Sequence, residues 1–127
     1  MKITLLSAER IRFDPAPGPL SVEAESAEMS YSPFHMLASG LAVCVISTVS
    51  SWANNASIPT AGLAAEVSWE FVEKPHRVGR FHLELDWPGL LEERRAAALR
   101  AVALCPVHKA FELPTEVHPE IRTGAAV

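Results

Sequence analysis

Ser32-Pro33-Phe34-His35-Met36-Leu37-Ala38-Ser39-Gly40-Leu41-Ala42-Val43-Cys44-Val45-Ile46-Ser47-Thr48-Val49-Ser50-Ser51-Trp52-Ala53 sets the architecture of this chain. Serine before proline is a helix start: the hydroxyl can cap, and proline at the first helical position forfeits an N–H that has no partner anyway. The helix should run to about Ala53, with Asn54-Asn55 as its natural end. No Asp, Glu, Lys or Arg occurs from Met29 to Ala65, and Phe34 to Ala53 is long enough to span a bilayer. His35, Ser39, Ser47, Thr48, Ser50 and Ser51 argue against a span, as does the lack of dense Leu and Ile. A helix that is mildly apolar all round is usually the central helix of a soluble core.

Working outward, Lys2 to Phe13 reads as a strand, and the Asp14-Pro15-Ala16-Pro17-Gly18-Pro19 run must turn. Leu20 to Ala24 alternates again and would close a β-hairpin. Beyond the helix, Ala65, Val67, Trp69 and Phe71 share one face of a strand over Ala64 to Phe71. A turn at Lys74-Pro75-His76 leads into Arg80 to Trp87, with Phe81, Leu83, Leu85 and Trp87 on the matching face. Pro88-Gly89 breaks that strand. Leu91 to Leu104 then predicts a helix, acidic in its first turn (Glu92, Glu93) and rich in alanine. A further helical turn should follow Cys105-Pro106, and a last strand should span Glu116 to Arg122. The order β-β-α-β-β-α-β is α+β rather than a doubly wound parallel sheet.

The 127 residues allow one domain, read as 1–127. An apolar content of 49% with mean hydropathy +0.15 excludes a disordered chain and leaves more apolar surface than a small globule hides easily. A net charge of −4 with scattered basic residues gives no reason to expect nucleic acid or an anionic membrane as partner. Two cysteines and no signal-peptide core before Glu9 and Arg10 point to the cytoplasm, where a disulfide would be transient.

Cys44 lies mid-helix, where a free thiol is commonly a small buried hydrophobe. Cys105 tells more. In Cys105-Pro106-Val107-His108 the thiol precedes a proline that opens a helical turn, so its sulfur should face unpaired N–H groups that favour thiolate. His108 shares that helical face and could supply positive charge or accept a proton. Cys105 and His108 also have a usable metal spacing, with Cys44 and His35 as completions. His76, His82 and His118 read as surface residues. No Ser-His-Asp arrangement, P-loop or dinucleotide fingerprint is present in the sequence.

Ser32 to Cys44 resembles the first signature of the OsmC/Ohr family (osmotically inducible protein C and organic hydroperoxide resistance protein). Val102-Ala103-Leu104-Cys105-Pro106-Val107 resembles the second. The order of the two cysteines, the strand pair between them and the long helix fit as well. The resemblance implies an OsmC-like fold of antiparallel sheets around a central helix, and an intertwined homodimer with active sites at the interface. It implies that Cys44 is the peroxidatic thiol and Cys105 the resolving thiol for organic or lipid hydroperoxides, with an external dithiol as reductant and no metal, flavin or haem. The thiolate's arginine would come from the first hairpin, as Arg12 or alternatively Arg10. Phe34, His35, Leu41 and His108 are then the expected substrate contacts.

One departure from the family pattern stands out: the position ten before the first cysteine, typically glutamate in the peroxidases, is Phe34. Glu25 and Glu28 are the nearest preceding carboxylates that could hold the arginine instead. Three readings follow. They are a thiol peroxidase, a non-peroxidatic member binding a small apolar ligand at the dimer interface, and a metal-binding protein using Cys44, Cys105 and a histidine.

Overall fold

The computed structural model describes residues 2–7, 10–14 and 33–124. Two compact units divide the chain at Ser30 and Tyr31. In the first, β1 (Lys2–Ser7) and β2 (Arg10–Asp14) form an antiparallel pair, with Thr4 opposite Arg12 and Ser7 opposite Arg10. The expected single strand from Lys2 to Phe13 is therefore two. An unbroken strand of that length would extend roughly 40 Å, whereas folding back lets each half satisfy the other's backbone groups. The expected strand at Leu20 to Ala24 lies outside the described residues.

The second unit is built on α1 (Pro33–Asn55). Ala38, Leu41, Val45, Val49 and Ala53 form its buried stripe, recurring at helical spacing. Val45, at 1% exposure, and Val49, at 0%, are among the most buried side chains. The helix is long and apolar enough to cross a membrane, yet this stripe is used inside the protein.

The helix ends in a Schellman motif: the Ile58 N–H donates to the Ala53 carbonyl at 2.8 Å and the Ser57 N–H to the Asn54 carbonyl at 3.3 Å. Ser57 takes the left-handed conformation (φ 56°) usually given to glycine. The expected end at Asn54-Asn55 is thus sealed two residues later.

β3 (Ala64–Val72) and β4 (Arg77–Asp86) pair antiparallel, slightly longer than the sequence pattern predicts. Ala65 lies opposite Leu85, Val67 opposite Leu83 and Trp69 opposite Phe81, so the apolar faces of both strands coincide. Trp87 closes the end of the pair, buried against the α1 stripe, and its indole N–H donates to the Pro59 carbonyl at 2.8 Å. Gly89 is required there, because a Cβ would meet the Pro59 carbonyl oxygen.

The expected helix from Leu91 to Leu104 is shorter. A 3₁₀ turn at Glu92–Arg94 leads into α2 (Arg95–Val102), whose Ala98 and Ala101 are buried in the shared core. Alanine lets the two helices approach closely. α3 (Pro106–Glu112) follows and also packs on α1.

The expected strand at Glu116 to Arg122 is absent. Residues 114–124 have no regular structure, and Val117 and Ile121 are 82% and 89% exposed. Pro119 removes a ladder donor, and no neighbouring strand among the described residues offers it an edge.

Candidate active site

Both thiols are placed by helix geometry. Cys44 follows Leu41 by three positions and precedes Val45, so it borders the buried stripe of α1 and is half-buried. Cys105 lies between α2 and α3. The residue before a proline is driven out of the helical region, and Cys105 is extended (φ −60°, ψ 121°). It becomes the N-cap of α3, fully buried, with Pro106 at the first helical position.

The free backbone donors of α3's first turn, Val107 and His108, go to the cysteine sulfurs, and the Lys109 N–H starts the regular helical ladder. Pro106 has no N–H. The Val107 N–H is a hydrogen-bond donor to both sulfurs. The His108 N–H donates to the Cys105 sulfur at 3.4 Å, and the Lys109 N–H to the Cys105 carbonyl at 3.0 Å. The two cysteines are hydrogen-bond neighbours, and both are free thiols.

Their acidities diverge. Burial by itself would raise Cys44, but hydrogen bonds from the Cys105 thiol, the Val107 N–H and the Thr48 hydroxyl outweigh it and hold Cys44 below the ordinary thiol value of 9.0. Burial, followed by the bond to Cys44, pushes Cys105 up against the opposing N–H groups of His108 and Val107. The expected N-cap at Cys105 is present, yet the more acidic thiol of the two is Cys44. Cys105 is too buried to ionise first, and it contributes as donor instead.

The expected substrate contacts divide into two groups. Leu41 and His108 line one cavity of about 540 Å³, walled by Val45, Phe81, Leu83, Trp87 and Val102 among others. Phe34 and His35 lie in the first turn of α1, away from that cavity's lining. The Phe34 ring packs edge-on against Phe71 at 4.8 Å and the His35 ring against Trp69 at 5.0 Å. Ten residues of helix separate Phe34 from Cys44 in the same chain, about 15 Å along the axis.

His108 meets Cys105 through its backbone; its ring sits 2.8 Å from a Glu112 carboxylate oxygen. Arg10 and Arg12 are both on β2, in the N-terminal unit, and Glu25 and Glu28 are outside the described residues. Among the described residues no three His, Cys, Asp or Glu side chains gather as a metal ion needs, so the ligand set Cys44, Cys105 and a histidine is not assembled.

Two contributors escaped the sequence reading. Thr48 is legible in principle as the residue one helical turn after Cys44. The Val107 N–H follows from counting donors past Pro106, but its reach to Cys44 depends on how α3 packs on α1.

The sequence pattern described as OsmC-like protein matches residues 24–120. In fold, the chain is similar to a crystal structure from Psychrobacter arcticus 273-4, described as an osmotic stress induced and detoxification response protein. The TM-score is 0.60 at 26% identity, over 73% of this chain and 64% of that one. The chain thus spans just under two thirds of that relative's length. No curated protein matches it. With the family pattern matched over most of its length and both cysteines inside the matched region, the chain belongs to the OsmC-like protein family.

Proposed function

We propose that this protein is a thiol-dependent peroxidase that reduces organic hydroperoxides through Cys44 and Cys105. The observation that carries the reading is the pair of hydrogen-bonded free thiols, one acidified and the other held protonated. A peroxidatic thiol must be a thiolate, whereas its resolving partner must keep a proton until it is needed. The Cys44 thiolate attacks the distal peroxide oxygen, breaking the O–O bond. Cys44 becomes a sulfenic acid, and the alkoxide takes a proton and leaves as the alcohol. Cys105 then attacks the sulfenic sulfur, forming the disulfide and releasing water. A dithiol reduces that disulfide by exchange and is itself oxidised. The relative from Psychrobacter arcticus, described by its detoxification response, is consistent with such a role.

The working unit in this proposal is a cytoplasmic homodimer, with Arg12, or Arg10 in its place, as the arginine that assists the thiolate. Support for the dimer comes from apolar groups left in solvent: Met36, Leu37 and Val43 on α1, and Val117 and Ile121 near the C-terminus. Light scattering on the purified protein tests it, and a monomer at micromolar concentration would refute it.

The decisive experiment is intact mass with thiol counting, before and after one equivalent of tert-butyl hydroperoxide. Loss of both thiols, with a Cys44–Cys105 link in the peptide map, is expected. Survival of both thiols would overturn the peroxidase reading. It would favour the second one, binding of a small apolar ligand, for which the cavity of about 540 Å³ beside Leu41 and Val45 speaks.

A further inference from the structure

Thr48 lies one helical turn beyond Cys44 and is half-buried beside it. Its hydroxyl donates to the Cys44 carbonyl at 2.9 Å. A threonine bonded back to the carbonyl four residues earlier is common in helices and by itself says little. Here, however, the sulfur of that same cysteine is also within hydrogen-bond reach of the hydroxyl. The hydroxyl has one proton and two acceptors.

We infer that Thr48 is a positioning residue for Cys44, its hydroxyl proton resting on the carbonyl and turning to the sulfur when the thiolate forms. The inference deepens the peroxidase reading and rests on Cys44 being the reacting thiol. A neutral thiol is a poor acceptor, so the carbonyl holds the proton at rest. An ionised sulfur is a much stronger acceptor, because a charge-assisted hydrogen bond outweighs a neutral one.

The exchange needs only rotation about the Cβ–Oγ bond of Thr48. Deserting the carbonyl costs little, since that oxygen retains the ordinary intrahelical bond from the Thr48 N–H. The hydroxyl thus joins Cys105 and Val107 as a third donor around the thiolate. Unlike the Cys105 thiol, which gives up its proton to make the disulfide, Thr48 keeps its own throughout. Among the described residues, Cys105 is the titratable group acting on Cys44.

The test is the pH profile of Cys44 alkylation by iodoacetamide in the full-length reduced protein, resolved by mass for each cysteine. Thr48→Val, nearly isosteric but without the hydroxyl, should raise the midpoint by about half to one pH unit. Thr48→Ser should stay close to the parent. Thr48→Ala serves as a second hydroxyl-free variant if Thr48→Val does not fold, with the same shift expected. An unmoved midpoint in the hydroxyl-free variant, or an equal shift in Thr48→Ser, would overturn the inference. Alkylation needs no peroxide, so a Thr48 effect in a protein inert to hydroperoxide would refute the peroxidase reading alone. Loss of both thiols to hydroperoxide with no Thr48 effect would refute this inference alone.

Discussion

Cys105→Ala removes three things at once, and each has a size. Cys105 is fully buried, so losing its sulfur forfeits about 1 kcal/mol of transfer free energy. The hole left behind, roughly 20 Å³, adds about 0.5 kcal/mol where the surrounding helices do not relax. The lost cap on α3 adds about 0.5 kcal/mol, the low end for caps, because a 3.4 Å bond to sulfur is long. Together these amount to about 2 kcal/mol. Unfolding entropy near 2.1 cal/mol/K per residue over 127 residues converts that into a fall in Tm of about 7 °C. The assay is calorimetric melting of the reduced proteins at matched concentration. The same variant deprives Cys44 of a donor, so its alkylation midpoint must rise in parallel. A loss below about 2 °C with an unmoved Cys44 midpoint would refute the view that this thiol both caps α3 and donates to Cys44.

Ser57→Gly should stabilise the protein by about 0.5–1 kcal/mol, since glycine takes the left-handed position without Cβ strain; denaturant titration measures it. Val49→Ala, in the middle of the buried α1 stripe, should cost about 2–3 kcal/mol from two lost methyl groups and their cavity. The same titration would show a smaller loss if that stripe were loosely packed. Stability of the reduced protein should rise with pH through the folded Cys44 pKa up to 9.0, because the folded state releases that proton before the unfolded chain does. Above 9.0 the sign reverses: the unfolded chain ionises Cys105 first, and stability falls. Melting temperature against pH follows both limbs, and Cys44→Ser should remove the rising one.

Much of this was legible because it is local. Pro33 opens α1 where the sequence pattern starts it, and the alternation that pairs Trp69 with Phe81 survives in the register of β3 and β4. The cap at Cys105 follows from Pro106 alone. Other elements failed for reasons beyond local pattern. Val117 and Ile121 alternate like a strand, but a strand needs a neighbour, and none among the described residues supplies one. His108 has the spacing of a partner for Cys105, but Glu112 on the next turn takes its ring. Phe34 belongs to the same motif as Cys44, and a straight helix carries it about 15 Å away to pack on Phe71.

By itself, then, the sequence determined the helix carrying Cys44, the strand pair that backs it and the extended turn that presents Cys105. Each depends on backbone preferences and periodicity within a dozen residues. Only the tertiary structure decided which sulfur is the acid. Acidity depends on burial and on the donors that reach each atom, and two donors to Cys44 come from residues some sixty positions away, brought in by α3 packing on α1.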